Sequence, residues 1–235
     1  MPTQIQLEFD QFIKSHFAIP LMLLIFFSGL EFTPLDLWIS RHFYDAELHQ
    51  WIYKESLLAE TILHTGGQYI IYISAIGMLL CLLVSLRTSS AFHRYRRELV
   101  FLLVASISGP IIIALLKNST HIYCPWDLAL FGGDKPYVRL FDDIPNNLPI
   151  GHCFPAAHAG SGFTFISLYF FLMAVKPEYK LYGLYFGLAL GFVFGAAQQA
   201  RGAHFFSHDV FALAVCWFSS LLLFILFFRK RLKWA

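Results

Sequence analysis

Charge is what this chain has least of. Of its 235 residues only 14% are Asp, Glu, Lys or Arg, against 57% hydrophobic residues. A soluble globular surface needs about a quarter charged residues, so that class is excluded and the chain belongs in a bilayer. Cysteine is scarce, with four residues, which excludes a small scaffold built on disulfides. No low-complexity tract or internal repeat is visible, so neither a disordered linker nor a solenoid is expected. The net charge of +2 gives no reason to invoke nucleic acid as a partner. The first apolar run lacks a small-residue cleavage site and is followed by acidic and aromatic residues, so it is read as a membrane span.

What is present is six apolar runs, near 17–33, 68–86, 99–116, 157–175, 181–200 and 209–228. Each approaches the roughly 20 residues that cross a hydrocarbon core. Their short connections predict one all-α domain over 1–235, a polytopic six-helix bundle. Lys14, Arg87, Arg94, Arg96, Arg97, Lys176, Lys180, Arg229, Lys230, Arg231 and Lys233 fall on one side, eleven of the seventeen basic residues. Glu8, Asp10, Glu98 and Glu178 are the acids on that side, and the other eleven of fifteen lie across the membrane. Basic loops stay cytoplasmic, so both termini are expected there, with the basic tail against anionic lipid head groups.

Two connections are long enough for structure of their own. Between 34 and 67, apolar residues such as Leu35, Trp38, Phe43, Trp51, Leu57, Leu58 and Ile62 alternate with acids, which fits an interfacial amphipathic helix or a packed cap. From Lys117 to Pro155, Gly132, Gly133, Pro136, Pro145 and Pro149 predict turns and loops. Cys81 and Cys216 sit inside predicted spans, whereas Cys124 and Cys153 lie on the translocated side. The second pair is either a disulfide, adding about 3 kcal/mol of constraint, or two buried thiols.

Three polar segments fall at one end of the predicted spans. Arg201-Gly-Ala-His204-Phe-Phe-Ser-His208-Asp209 places two histidines four residues apart, stacked on one face if helical. One imidazole can then act as a nucleophile while His208 or Asp209 holds its tautomer. Phe154-Pro155-Ala156-Ala157-His158 opens the fourth span after a proline. Its free first-turn amides, near Ala156 and Ala157, suit an anion, and His158 is placed to give up a proton. Lys117-Asn-Ser-Thr-His-Ile-Tyr-Cys-Pro125 starts where the third span ends. Lys117 either snorkels to the interface or joins Arg201 on phosphate oxygens. The isolated His42, His49, His64, His93 and His152 are read as interfacial residues.

The order and spacing of these segments, over about residues 99–228, resemble the type-2 phosphatidic acid phosphatase superfamily, with motifs K-x6-R-P, P-S-G-H and S-R-x5-H-x3-D. The resemblance implies six helices, a site without metal or cofactor, and a phosphohistidine intermediate. It makes His204 the nucleophile, His158 the leaving-group acid, and Lys117, Pro125 and Pro155 motif residues. The chain departs from the pattern at Cys124 (arginine in the family), Ala156 and Ala157 (serine and glycine), and Gln198 (arginine), for which Arg201 one turn later is a candidate substitute. His208 occupies the aspartate position with Asp209 next to it, which leaves the orienting residue open. A register with His208 as nucleophile would put Ala212 at the aspartate position and is disfavoured.

The expected activity is therefore hydrolysis of a phosphomonoester or diphosphate on a lipid head group at the non-cytoplasmic face of a bacterial inner membrane. The family offers phosphatidate, phosphatidylglycerophosphate, undecaprenyl diphosphate and lipid A phosphate as substrates. Alternatives are a lipid phosphotransferase and a non-catalytic lipid or anion transporter or binding protein. A zinc hydrolase using His204, His208 and His158 is a weaker alternative. No glutamate lies between the first two, and Lys117 and Arg201 would repel a cation.

Overall fold

The computed structural model describes residues 11–229. Glu8, Asp10, Lys230, Arg231 and Lys233 of the charge count, and with them most of the basic tail, lie outside the described residues. The order of elements is α1 (Gln11–Ser28), α2 (Leu35–Arg41), β1 (Tyr44–Asp45), β2 (Gln50–Trp51), α3 (Leu57–Val84), α4 (His93–Lys117), α5 (Ala157–Val175), α6 (Pro177–Ala200) and α7 (Phe206–Phe228). All but α2 among these helices are long and apolar enough to cross a membrane, six among the described residues. The protein is an integral membrane, all-α bundle.

The bundle is held at its centre by α4, α5, α6 and α7. Phe101, Phe163, Phe170, Phe224 and Phe228 are fully or almost fully buried there, with Ile113, Ala159 and Ala212 between them. In lipid, helices associate through close packing more than through hydrophobic transfer. The sequence meets that need with small residues: Gly183, Gly187, Gly191 and Gly195 repeat every fourth position and form one stripe along α6. A methyl group added at Gly187 would lie 2.5 Å from the backbone nitrogen of Ile166, so only glycine admits α5 at this distance. By contrast α1 and α3 are peripheral, with 0% and 6% of their apolar windows buried inside the protein.

The segment after α1 packs against the ends of the bundle and the loop after α4. Asp36 of α2 accepts a hydrogen bond from the Ser207 amide at 3.0 Å, so its carboxylate meets the unsatisfied first turn and positive dipole end of α7. Glu31 accepts from the Leu140 amide at 3.2 Å. The short hairpin pairs Tyr44 with Trp51 and Asp45 with Gln50. Its turn is closed by Asp45, which accepts from the amides of Glu47 and Leu48. Trp51 then buries itself with Tyr123, Leu128, Phe131 and Phe205 in a second apolar cluster.

One boundary needs correction. The expected segment 34–67 ends early, because α3 begins at Leu57, eleven residues before the expected start of that span. Ser56 accepts from the Ala59 amide at 3.1 Å and opens the helix. Leu57, Leu58 and Ile62 are exposed apolar residues of this helix and belong to its outer face, not to the cap.

Candidate active site

Lys117 ends α4, His158 lies in the first turn of α5, and Arg201 and His204 occupy the link between α6 and α7. All four line one cavity of about 500 Å³, together with Ala157, Gln198, Ala203, Cys124 and Trp126. The link is shaped by Gly202, whose φ of 78° is the left-handed region that favours glycine. A side chain there would also strike the ring of Trp51. Trp126 donates its amide to the Gly202 carbonyl at 3.0 Å, tying the link to the loop after α4.

His204 is buried except for its face on the cavity. Its Nδ1 lies 3.5 Å from Nδ1 of His208 and 3.5 Å from the sulfur of Cys153. Burial lowers its pKa well below the ordinary 6.5, helped by the neighbouring His208, Lys117 and His158. The imidazole is therefore neutral near pH 7 and keeps a lone pair. His208 is almost completely buried behind it and does not line the cavity.

Asp209 is not behind His204. Its carboxylate accepts from the Gln199 side-chain amide at 2.6 Å and packs against Gly195 of α6. Of the two neighbours that sequence left open, His208 contacts His204 and Asp209 braces α6. Ala156 likewise departs from expectation. It is fully buried, and its amide donates to the His208 carbonyl at 3.2 Å, so it is unavailable to a phosphate. Ala157 does line the cavity.

Arg201 stands beside Gln198, donating to its Oε1 at 3.1 Å. Its Nε donates to the Lys54 carbonyl at 3.1 Å, and its guanidinium pairs with Glu60. His158 directs Nε2 at the Leu63 carbonyl, 3.2 Å away. A carbonyl only accepts, so this nitrogen carries the proton.

The wall opposite the motif residues is α3, and sequence reasoning missed it. His64, Gln68, Ile71 and Tyr72 line the cavity. His64 Nδ1 receives the Gln198 amide at 3.0 Å, and its ring centroid lies 4.7 Å from that of His158. The signal was present: Glu60, His64 and Gln68 are spaced by four, one face of a helix, once the helix is extended back to Leu57. His152, also read as merely interfacial, lines the cavity too.

Cys124 and Cys153 are joined by a disulfide, with Cα atoms 5.2 Å apart. It closes the 117–155 loop against His204. Among the described residues, Cys124, Cys153 and His204 are the group whose donor atoms converge as metal ligands would. With both sulfurs bonded to each other they are not thiolate ligands. The trio His204, His208 and His158 suggested by sequence does not converge in this way.

Comparison with known proteins gives one relative and one family. A lipid A 4'-phosphatase from Francisella tularensis subsp. novicida (strain U112) is 28% identical over 211 residues, which cover 88% of this chain and 91% of that protein. No solved structure matches. Residues 98–232 match the PAP2 superfamily, and this stretch contains the three segments that form the motif wall of the cavity. The chain belongs to the PAP2 superfamily, the type-2 phosphatidic acid phosphatases that its motif order resembles.

Proposed function

We propose that this protein hydrolyses a phosphate ester on a lipid head group, with His204 as the nucleophile. The observation that carries the proposal is the single cavity onto which Lys117, His158, Arg201 and His204 open from three separate segments. His208 takes the place of the family's aspartate. In this reading His204 carries its proton on Nδ1, 3.5 Å from Nδ1 of His208, which leaves the Nε2 lone pair free to attack phosphorus. Lys117, Arg201 and the Ala157 amide neutralise the equatorial oxygens, and His158, protonated on both ring nitrogens and holding Nε2–H on the Leu63 carbonyl, passes its Nδ1 proton to the departing oxygen. Water then releases phosphate from the phosphohistidine.

The site is assigned to the non-cytoplasmic face, here the periplasmic side of a bacterial inner membrane, with both termini cytoplasmic. Two observations support this: the basic residues gather at the opposite ends of the spans, and a disulfide borders the site, as suits an oxidising compartment. Among substrates, the similarity to a lipid A 4'-phosphatase favours a lipid A phosphate over phosphatidate, phosphatidylglycerophosphate or undecaprenyl diphosphate.

The test is phosphate release from these four lipids by purified protein in detergent, with chelator present, combined with trapping of radiolabelled phosphoenzyme. The expected result is release by the native protein, and an acid-labile, alkali-stable phosphoenzyme that is absent from His204→Ala. Full turnover in that variant overturns the assignment. Label transferred to a second lipid instead of water identifies a phosphotransferase.

A further inference from the structure

Beside the catalytic cavity lies a second one, of about 540 Å³, that the phosphate chemistry above does not use. The two share one wall residue, Trp126. The second cavity is formed outside the membrane spans, by β2 and the turn that follows it on one side and the loop after α4 on the other. Gln50, Lys54 and Glu55 are exposed around it, and Trp51 and Phe131 close its base from the second apolar cluster.

Its chemistry defines an occupant. An acyl chain would face a carboxamide, a carboxylate and an ammonium group, and would leave all three unpaired. A bare phosphate would sit near Glu55 and find one lysine. Aromatic surface ringed by side chains that donate and accept hydrogen bonds suits a ring with apolar faces and hydroxyl edges. That is a sugar. Its position also fits, because Trp126 lines both cavities and so the second adjoins the one that holds His204.

We propose that this cavity is a subsite for a sugar of the substrate's head group, so that the enzyme selects glycolipid phosphates over glycerolipid phosphates. The inference rests on the lipid phosphatase reading of the neighbouring cavity. The subsite is also tied to the phosphate clamp: Lys54 accepts from Arg201 Nε through its own carbonyl, while its ammonium lies 5.3 Å over the Trp126 ring. A sugar seated against Lys54 and Trp126 therefore bears on the backbone that holds Arg201.

The test uses the full-length protein in detergent, with a phosphorylated glucosamine disaccharide lipid and dioctanoyl phosphatidate as the two substrates. Gln50→Ala and Glu55→Ala are measured separately, since both side chains are exposed and neither supports the core. Native protein is expected to prefer the glycolipid in kcat/KM. Each variant lowers the ratio of glycolipid to phosphatidate kcat/KM about tenfold, the loss of one or two hydrogen bonds. An unchanged ratio in both variants, or a native preference for phosphatidate, overturns the subsite while the phosphatase reading stands. Absence of phosphate release from either lipid by the native protein overturns the reading of the catalytic cavity, and the subsite with it.

Discussion

The two walls of the catalytic cavity are built in different ways. Lys117, His158, Gln198, Arg201 and His204 form one wall, on helices packed through glycines and phenylalanines and the link between two of them, inside the stretch that matches the family. His64, Gln68 and Tyr72 form the other, on α3, a helix with little of its own surface buried and lying before that stretch. Groups that form and break bonds must be held to fractions of an ångström, which takes a rigid mount. Groups that meet the rest of the head group tolerate a looser one. The expectation is that chemistry is lost on mutation of the motif wall and tuned by mutation of the α3 wall.

The sharpest way to break this comparison is a pair of alanine substitutions. His204→Ala removes the proposed nucleophile and is expected to lower kcat at least about a thousandfold. His64→Ala removes a partner of Gln198 and a neighbour of His158, and is expected to cost roughly tenfold. Steady-state phosphate release measures both. Equal losses would mean that α3 takes part in the chemistry, and the distinction between the walls would go.

The next effect is on the frame of the motif wall. Replacing Cys124 and Cys153 together by alanine frees the 117–155 loop that seats against His204. Loss of that constraint is expected to destabilise the protein by about 3 kcal/mol. The midpoint of thermal unfolding in detergent should fall by roughly 6–12 °C, and the same fall should follow reduction of the native protein. A midpoint unchanged by both treatments would show that the loop is held by Trp126, Tyr123 and their apolar cluster alone.

The same division explains what could be read from sequence. Lys117, His158 and His204 stand out because an ionisable group at the end of an apolar span has few inexpensive places to go other than an aqueous cavity. Six spans follow from composition for a related reason. His64 escaped because the apolar run of α3 was started at 68, which left Glu60 and His64 outside the helix and hid their alignment with Gln68. The role of Ala156 was misjudged because an open first turn was inferred without the backbone of α7, whose His208 carbonyl takes that amide. The choice between His208 and Asp209 turns on a rotation of about 100° between adjacent helical residues, which spacing alone does not orient. The glycine stripe of α6 is present in the sequence as a four-residue repeat that went unread, and it lies at the close contact with α5.

That stripe sharpens the comparison at the level of packing. Gly187→Ala sets a methyl group 2.5 Å from the Ile166 backbone nitrogen, so α5 and α6 must part. The expected destabilisation is about 1–3 kcal/mol. Gly77 in α3 has nothing within 4 Å of the same added methyl, and Gly77→Ala should stabilise by up to about 1 kcal/mol through helix propensity. Thermal midpoints of the two variants against the native protein give both signs. A loss at Gly77 as large as that at Gly187 would show that α3 is packed as tightly as the centre.

The smallest expected effect is the response to mild acid, and it tests the motif wall alone. His204 has its pKa lowered by burial and by the cationic or imidazole neighbours His208, Lys117 and His158, so the folded protein keeps it neutral as pH falls through 6.5. Its contribution to the acid limb of kcat/KM then lies below 6.5. The unfolded chain takes up a proton at this histidine near its ordinary pKa, which the folded chain refuses, so stability declines as pH drops below 6.5. Catalysis and stability should therefore weaken on the same side of that value. A pH profile of kcat/KM in native protein and in His64→Ala separates the walls: if burial of His204 sets the limb, removing a side chain on α3 leaves it in place. A limb that sits at 6.5 or above, or that moves with His64→Ala, would transfer control of the proton to the other wall.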